Sequence, residues 1–143
     1  MKTPIFVAAG IVFDQSTSVF ITKRSAHQTY GGYWEFPGGK VELGETSESA
    51  LSRELIEELD IRVEELQHYL TVDYYDAGKK LVLDFFLILS YLGYPKGAEG
   101  QLGKWVPIEQ LTDENSTFVF PDANREVIRK LALDKESIWR RIR

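Results

Sequence analysis

Residues 39–61 read Gly39-Lys40-Val41-Glu42-Leu43-Gly44-Glu45-Thr46-Ser47-Glu48-Ser49-Ala50-Leu51-Ser52-Arg53-Glu54-Leu55-Ile56-Glu57-Glu58-Leu59-Asp60-Ile61. From Ser47 to Leu59 the apolar residues Ala50, Leu51, Leu55 and Leu59 recur at three- and four-residue intervals, the period of an amphipathic helix. Thr46 or Ser47 is available as its N-cap, and Glu48 lies in the first turn, where a negative charge complements the helix dipole. Glu54, Glu57 and Glu58 fall at i, i+3 and i+4 and therefore share one face of that helix. Like charges at these spacings repel by a few tenths of a kcal/mol per pair, so the pattern calls for compensation. A hard divalent cation supplies it: Mg2+ takes oxygen ligands and commonly combines one or two carboxylates with waters and substrate phosphates. Glutamates alone are ordinary on a solvated helix face; the fixed spacing of the whole stretch is what separates this one.

Outward from the helix, the rest of the chain is rich in strands. Upstream, Ile5–Phe13 is apolar and β-branched, and Asp14-Gln15-Ser16-Thr17 carries turn chemistry before Ser18–Thr22, a pattern that predicts a β-hairpin. Lys23–Tyr33 reads as a loop, and Trp34-Glu35-Phe36 as a short extended segment stopped by Pro37-Gly38-Gly39. Downstream, Leu66–Asp76 and Lys80–Tyr91 predict a second hairpin turning at Asp76-Ala77-Gly78-Lys79. Gly93–Gly103 reads as a long loop before the short strand Lys104-Trp105-Val106, and Pro107–Leu111 as a brief helical turn. Pro121 and Asp122 suit the first turn of a final helix that carries Val127, Ile128, Leu131 and Leu133 toward the core. The order of elements predicts an α/β fold with a mixed or antiparallel sheet between helices.

Composition narrows the function. At 143 residues with 43% hydrophobic content the chain suits one domain, residues 1–143, and no apolar run approaches the length of a membrane span. The absence of cysteine removes disulfides, thiolate catalysis and sulfur-ligated zinc. A net charge of −5 argues against a basic face wrapping nucleic acid, while metal ions still allow an acidic protein to bind phosphates. The chain reads as soluble and free of a signal peptide, and a cytoplasmic location fits.

Gly39, Glu45, Arg53-Glu54-Leu55, Glu57-Glu58 and Ile61 occupy every defining position of the Nudix box except the final glycine, where this chain has Asp60. Thr22-Lys23-Arg24, Trp34–Lys40, Glu99-Gly100-Gln101, Lys104-Trp105 and Phe120–Asn124 resemble the corresponding segments of MutT-like Nudix hydrolases, in the same order. The resemblance implies an α/β/α sandwich and a nucleoside triphosphate pyrophosphohydrolase. It further implies that the carbonyl of Gly38 and the side chains of Glu54, Glu57 and Glu58 bind Mg2+, with Mn2+ as a substitute, and that Glu99 is a further metal contact. Glu54 is then a ligand and candidate general base, with Glu57 and Glu99 as alternatives; Arg53 orients Glu54; Gly39 and Glu45 are structural members of the box. Asp60 takes a position that often needs a left-handed backbone, at a cost of about 1 kcal/mol.

For the substrate, the resemblance points through Asn124 to an oxidised guanine nucleotide. Guanine N7 accepts a hydrogen bond, whereas 8-oxoguanine carries a hydrogen there, and an Asn amide offers both a donor and an acceptor. An ordinary helix-start asparagine is the competing reading. Phe36, Trp34 and Tyr75 are candidates to stack on the base or equally core or surface aromatics, and Arg24 is a candidate to meet phosphates or a solvated strand end. Residues 134–143 lie beyond the MutT-like match and read as a C-terminal extension with a solvated basic helix end; the alternative is contact of Trp139 and the arginines with an RNA 5′ end or a second subunit. The expected activity is sanitation of 8-oxo-dGTP. RNA 5′-pyrophosphohydrolysis, hydrolysis of (d)CTP or a nucleotide sugar, and a non-catalytic nucleotide-binding module are the alternatives.

Overall fold

The computed structural model describes residues 3–28, 30–97, 102–113 and 116–142. Its strands are β1 (Ile5–Val12), β2 (Ser18–Lys23), β3 (Trp34–Glu35), β4 (Gly38–Lys40), β5 (Arg62–Asp76), β6 (Lys79–Leu92) and β7 (Gly103–Pro107), and its helices α1 (Ser47–Leu59), α2 (Ile108–Thr112) and α3 (Arg125–Arg141), the last preceded by a 3-10 turn over Asp122–Asn124.

A four-stranded mixed sheet in the order β4-β1-β6-β5 lies between α1 and α3, and a three-stranded sheet, β3-β2-β7, stands beside it. β1 runs parallel to β6 from Ile5↔Leu81 to Val12↔Ile88 and antiparallel to β4. Because successive side chains of a strand point to opposite faces and both faces of the sheet are covered, β1 and residues 85–89 of β6 are continuously apolar. Ala8, Val12, Phe86 and Ile88 pack with Leu51, Leu55 and Leu59 of α1, while Ala9, Ile11, Phe85 and Leu87 pack with Val127, Leu131 and Ile138 of α3.

The predicted hairpin between β1 and β2 is corrected. The turn forms as expected, with Asp14 Oδ1 accepting from the amides of Ser16 and Ser18, but only the bridge Phe13↔Val19 joins its arms. β1 then pairs with β6 and β4 while β2 pairs with β3 and β7, so the turn is a corner between two sheets. The second hairpin is present and longer than expected at its start. Ala77 and Gly78, both at positive φ (52° and 77°), close it in the geometry that matches strand twist.

α1 spans the residues the periodicity predicts. Thr46 Oγ1 accepts from the Ser49 amide and Ser49 Oγ from the Thr46 amide, each at 3.1 Å, forming a capping box. The helix ends on Asp60 in the left-handed region (φ 58°, ψ 38°), as the missing glycine implied.

The final helix differs from expectation at two points. Leu133 is 80% exposed, two positions past Leu131 and so on the opposite side of the helix from the buried face. The segment after residue 133 is a continuation of α3, in which Ile138 is buried against the core beneath Val127 and Leu131. Residues 134–141 are thus part of the packed helix. Among the described residues no helix is long and apolar enough to cross a membrane.

Candidate active site

The carboxylate-bearing face of α1 is held against β4 by two glycines. β4 pairs with β1 through Ala8↔Gly39 and Ala9↔Gly38, which brings the start of the box under the helix. A Cβ on Gly38 would stand 2.8 Å from Ala9 Cα, too close for any side chain. A Cβ on Gly39 would stand 2.5 Å from Glu54 Oε1 and 2.8 Å from its Oε2, so the bare glycine leaves the space that the Glu54 carboxylate uses.

Arg53 organises the neighbouring carboxylates. Its Nε and Nη2 donate to Glu45 Oε2 and Oε1 at 2.8 and 2.9 Å, a bidentate pairing. Nη1 donates to Glu54 Oε1 at 3.0 Å and lies 3.5 Å from Glu57 Oε2, while Nη2 reaches the carbonyl of Lys40 at 3.3 Å. The guanidinium hydrogen bonds, with the Glu42 amide donating to Glu45 Oε1, hold the Glu45 carboxyl down at about 2. The same partners raise the Arg53 pKa, so its charge is permanent.

Glu58 sits in the opposite condition. Burial first, then the charges of Glu54 and Glu35, push its carboxyl up to about 8, against the opposing pull of the Gly38 amide, which donates to Oε2 at 3.4 Å. Glu35 was quoted in the sequence motif but given no role. The structure brings it to this group on β3, where burial raises its pKa and Arg24, whose Nη1 donates to Oε2 at 2.6 Å, opposes the rise. Its signal in the sequence was faint: one carboxylate between two aromatics, in a strand of two residues. Thr22, its cross-strand partner, is fully buried, and among the described residues its Oγ1 has no hydrogen-bond partner.

This donor set fits a hard divalent cation. Glu54 and Glu58 approach closely enough to interact by hydrogen bond, and Glu58 remains protonated near neutral pH unless positive charge is supplied. Among the described residues no three acidic or histidine side chains already converge as a ligand set. Arg53 engages one oxygen of Glu54 and lies near one oxygen of Glu57, which leaves the other oxygen of each carboxylate outside these contacts. Glu99 lies outside the described residues.

The residues expected to meet a nucleotide are dispersed. Asn124 is half-buried at the entrance to α3; its Nδ2 donates to the carbonyl of Pro121 at 3.2 Å, and it makes no side-chain cap to the helix. Arg24 is half-buried beside Glu35. Phe36 takes the core alternative: it is 4% exposed, wedged between Phe85 and Phe120 with ring centroids at 6.2 and 5.1 Å. Trp34 packs edge-on against Phe118. Tyr75, near the tip of the β5–β6 hairpin, is 70% exposed and free to stack.

Comparison with known proteins agrees with this geometry. The chain is 38% identical over 125 residues to the 8-oxo-dGTP diphosphatase of Escherichia coli, covering 87% of this chain and 94% of that one. It is 38% identical over 130 residues to the 8-oxo-dGTP diphosphatase of Haemophilus influenzae, covering 91% and 93%. A solved chain from work on MutT of Aliivibrio salmonicida and Vibrio cholerae superposes with a TM-score of 0.80 at 43% identity, covering 92% of this chain and 99% of that one. The family model for the NUDIX domain matches residues 4–131, which include the strand, the two glycines and the carboxylate helix just described, and the chain belongs to that family.

Proposed function

We propose that the protein is a Mg2+-dependent nucleoside triphosphate pyrophosphohydrolase that clears 8-oxo-dGTP, releasing 8-oxo-dGMP and pyrophosphate, in the cytoplasm. The observation that carries the reaction is the Glu54–Glu58 carboxylate pair set against Gly38 and Gly39, in which a bound cation would take the place of the proton that Glu58 holds. Glu54, Glu57, Glu58 and the carbonyl of Gly38 would hold the ion, with Glu99 as a further contact; an all-oxygen set suits Mg2+, with Mn2+ the substitute. Bound there, the ion would neutralise the triphosphate and acidify the water that attacks phosphorus in line.

The chain's own groups do the rest. Glu54 accepts the proton of the attacking water, with Glu57 and Glu99 as alternatives. Arg53, locked on Glu45, sets the direction from which Glu54 presents its oxygens. Arg24, paired with Glu35, would meet the phosphates.

Asn124 supports the choice of base. With its Nδ2 donating to the carbonyl of Pro121, Asn124 keeps Oδ1 as the atom that would meet a bound base as an acceptor. An acceptor pairs with the N7–H of 8-oxoguanine and repels the bare N7 of guanine. A site of this kind rejects the wrong base strongly, because a buried polar group is left unpaired.

The test is turnover with product identification across 8-oxo-dGTP, dGTP, CTP, nucleotide sugars and a short 5′-triphosphate RNA. Pyrophosphate release that is fastest on the RNA would replace the nucleotide reading with an RNA 5′-end activity. Binding without turnover would make the protein a nucleotide-sensing module. Glu57→Gln should abolish most activity; unchanged turnover and unchanged Mg2+ dependence would remove the chemistry from α1.

A further inference from the structure

A cavity of about 740 Å3, with no lining residue from the carboxylate helix, lies between α2, the 118–122 segment and α3. It shares no lining residue with Glu54, Glu57, Glu58, Arg24 or Asn124. Its volume falls in the range of small-molecule sites. Buried Leu111 and Ile128 form its base, and the rings of Phe118 and Phe120 contribute to its wall. Leu133, left 80% exposed by the turn of α3, lies on its lining, as do Arg125 and Arg129, one helical turn apart on the same face.

The charges are as informative as the shape. The chain as a whole carries −5, yet the cationic groups lining this cavity outnumber the acidic ones, with Asp122 the carboxylate among them. Arg129 makes no ion pair or hydrogen bond among the described residues, and Arg125 makes one exposed i,i+3 pair with Asp122 at 3.1 Å, which water readily replaces. Two guanidinia on successive turns match an oxyanion with several oxygens, for which arginine's fixed fork of donors is suited. The aromatic wall matches a flat apolar body attached to that oxyanion.

We propose that this cavity is a second binding site, independent of the catalytic one, for an organic phosphate that carries an aromatic ring. The phosphate lies against Arg125 and Arg129, and the ring enters between Phe118, Phe120 and Leu133. A nucleoside monophosphate has this chemistry, and inorganic phosphate has only half of it.

The experiment is a titration of the purified full-length protein, without divalent cation, with adenosine 5′-monophosphate and separately with inorganic phosphate, followed by amide chemical shifts. Adenosine monophosphate should move the amides of Arg125, Arg129, Leu133 and Phe118, and should still do so in Glu57→Gln, which alters α1 and no residue of the cavity lining. Arg129→Glu and the cavity-filling Leu133→Trp, both changes at exposed positions, should each weaken binding at these amides by about tenfold or more, a difference on the scale of one charge-assisted contact. Inorganic phosphate should bind at least about tenfold more weakly than the nucleotide. Shifts confined to α1 and Asn124, binding unaffected by either variant, or equal binding of phosphate and nucleotide, the mark of an adventitious anion only, would each overturn the proposal.

Discussion

Replacing Gly39 by alanine separates the geometry of the site from the stability of the fold. The new Cβ would sit 2.5 Å from Glu54 Oε1, while ordinary contact begins at 3.4 Å, so the carboxylate must retreat by about 1 Å. The obstacle is the end of a flexible side chain, and Gly39 is not among the residues at positive φ, so the backbone accommodates alanine. Stability should therefore change by no more than about 1 kcal/mol, or roughly 4 °C in Tm for a chain of this size. Catalysis is less forgiving: a displacement of about 1 Å at a reacting group is commonly worth about a hundredfold in rate. The assay is pyrophosphate release with saturating Mg2+, paired with a thermal melt. Shortening the displaced group in Glu54→Asp should make the double variant less impaired than the product of the two single losses, because both changes act on one carboxylate. Gly39→Ala retaining more than half of wild-type kcat would refute the reasoning, as would an activity loss explained by unfolding.

Three further outcomes follow from the same geometry. Asn124→Ala should lower the preference for 8-oxo-dGTP over dGTP by at least about tenfold with a smaller effect on dGTP turnover, read from kcat/KM for each, since about 1.4 kcal/mol of base discrimination rests on its acceptor. Asp60→Gly should stabilise the fold by up to about 1 kcal/mol, visible as a rise of a few degrees in Tm, because glycine occupies φ 58° without strain. Glu58 gives a pH dependence. Its carboxyl titrates near 4.5 in the unfolded chain and about 8 in the metal-free fold, so between those values the native state holds the extra proton and stability falls as pH rises. Denaturant melts of metal-free protein from pH 5 to 8 should show that fall. Glu58→Gln should flatten it, and Mg2+ should oppose it.

Much of this was readable in the chain because it is local. The bounds of α1, its cap at Thr46 and the left-handed Asp60 all follow from spacing and from the backbone demands of single positions. The shared face of Glu54, Glu57 and Glu58 follows from the helical period. What escaped depended on distant partners. The turn at Asp14–Ser18 looks like a hairpin because it has hairpin chemistry, but β6 supplies a long parallel partner for β1 and β7 an antiparallel one for β2. Phe36 resembles a stacking residue until Phe85 and Phe120 are seen on either side of it. Residues 134–141 read as a solvated helix end because charged residues dominate them, and the packing of Ile138 against the core depends on distant partners. Glu35 acquires meaning from Arg24, Glu58 and the β2–β3 pairing together.

The central claim is that the carboxylate face of α1 hydrolyses an oxidised guanine nucleotide. Its most direct test is the ratio of kcat/KM for 8-oxo-dGTP and dGTP on the purified protein with Mg2+, with products identified. The account predicts 8-oxo-dGMP and pyrophosphate and a preference for the oxidised nucleotide of at least about a hundredfold, the discrimination expected when the wrong base leaves buried groups unpaired. Equal values for the two nucleotides, or release of inorganic phosphate in place of pyrophosphate, would contradict it.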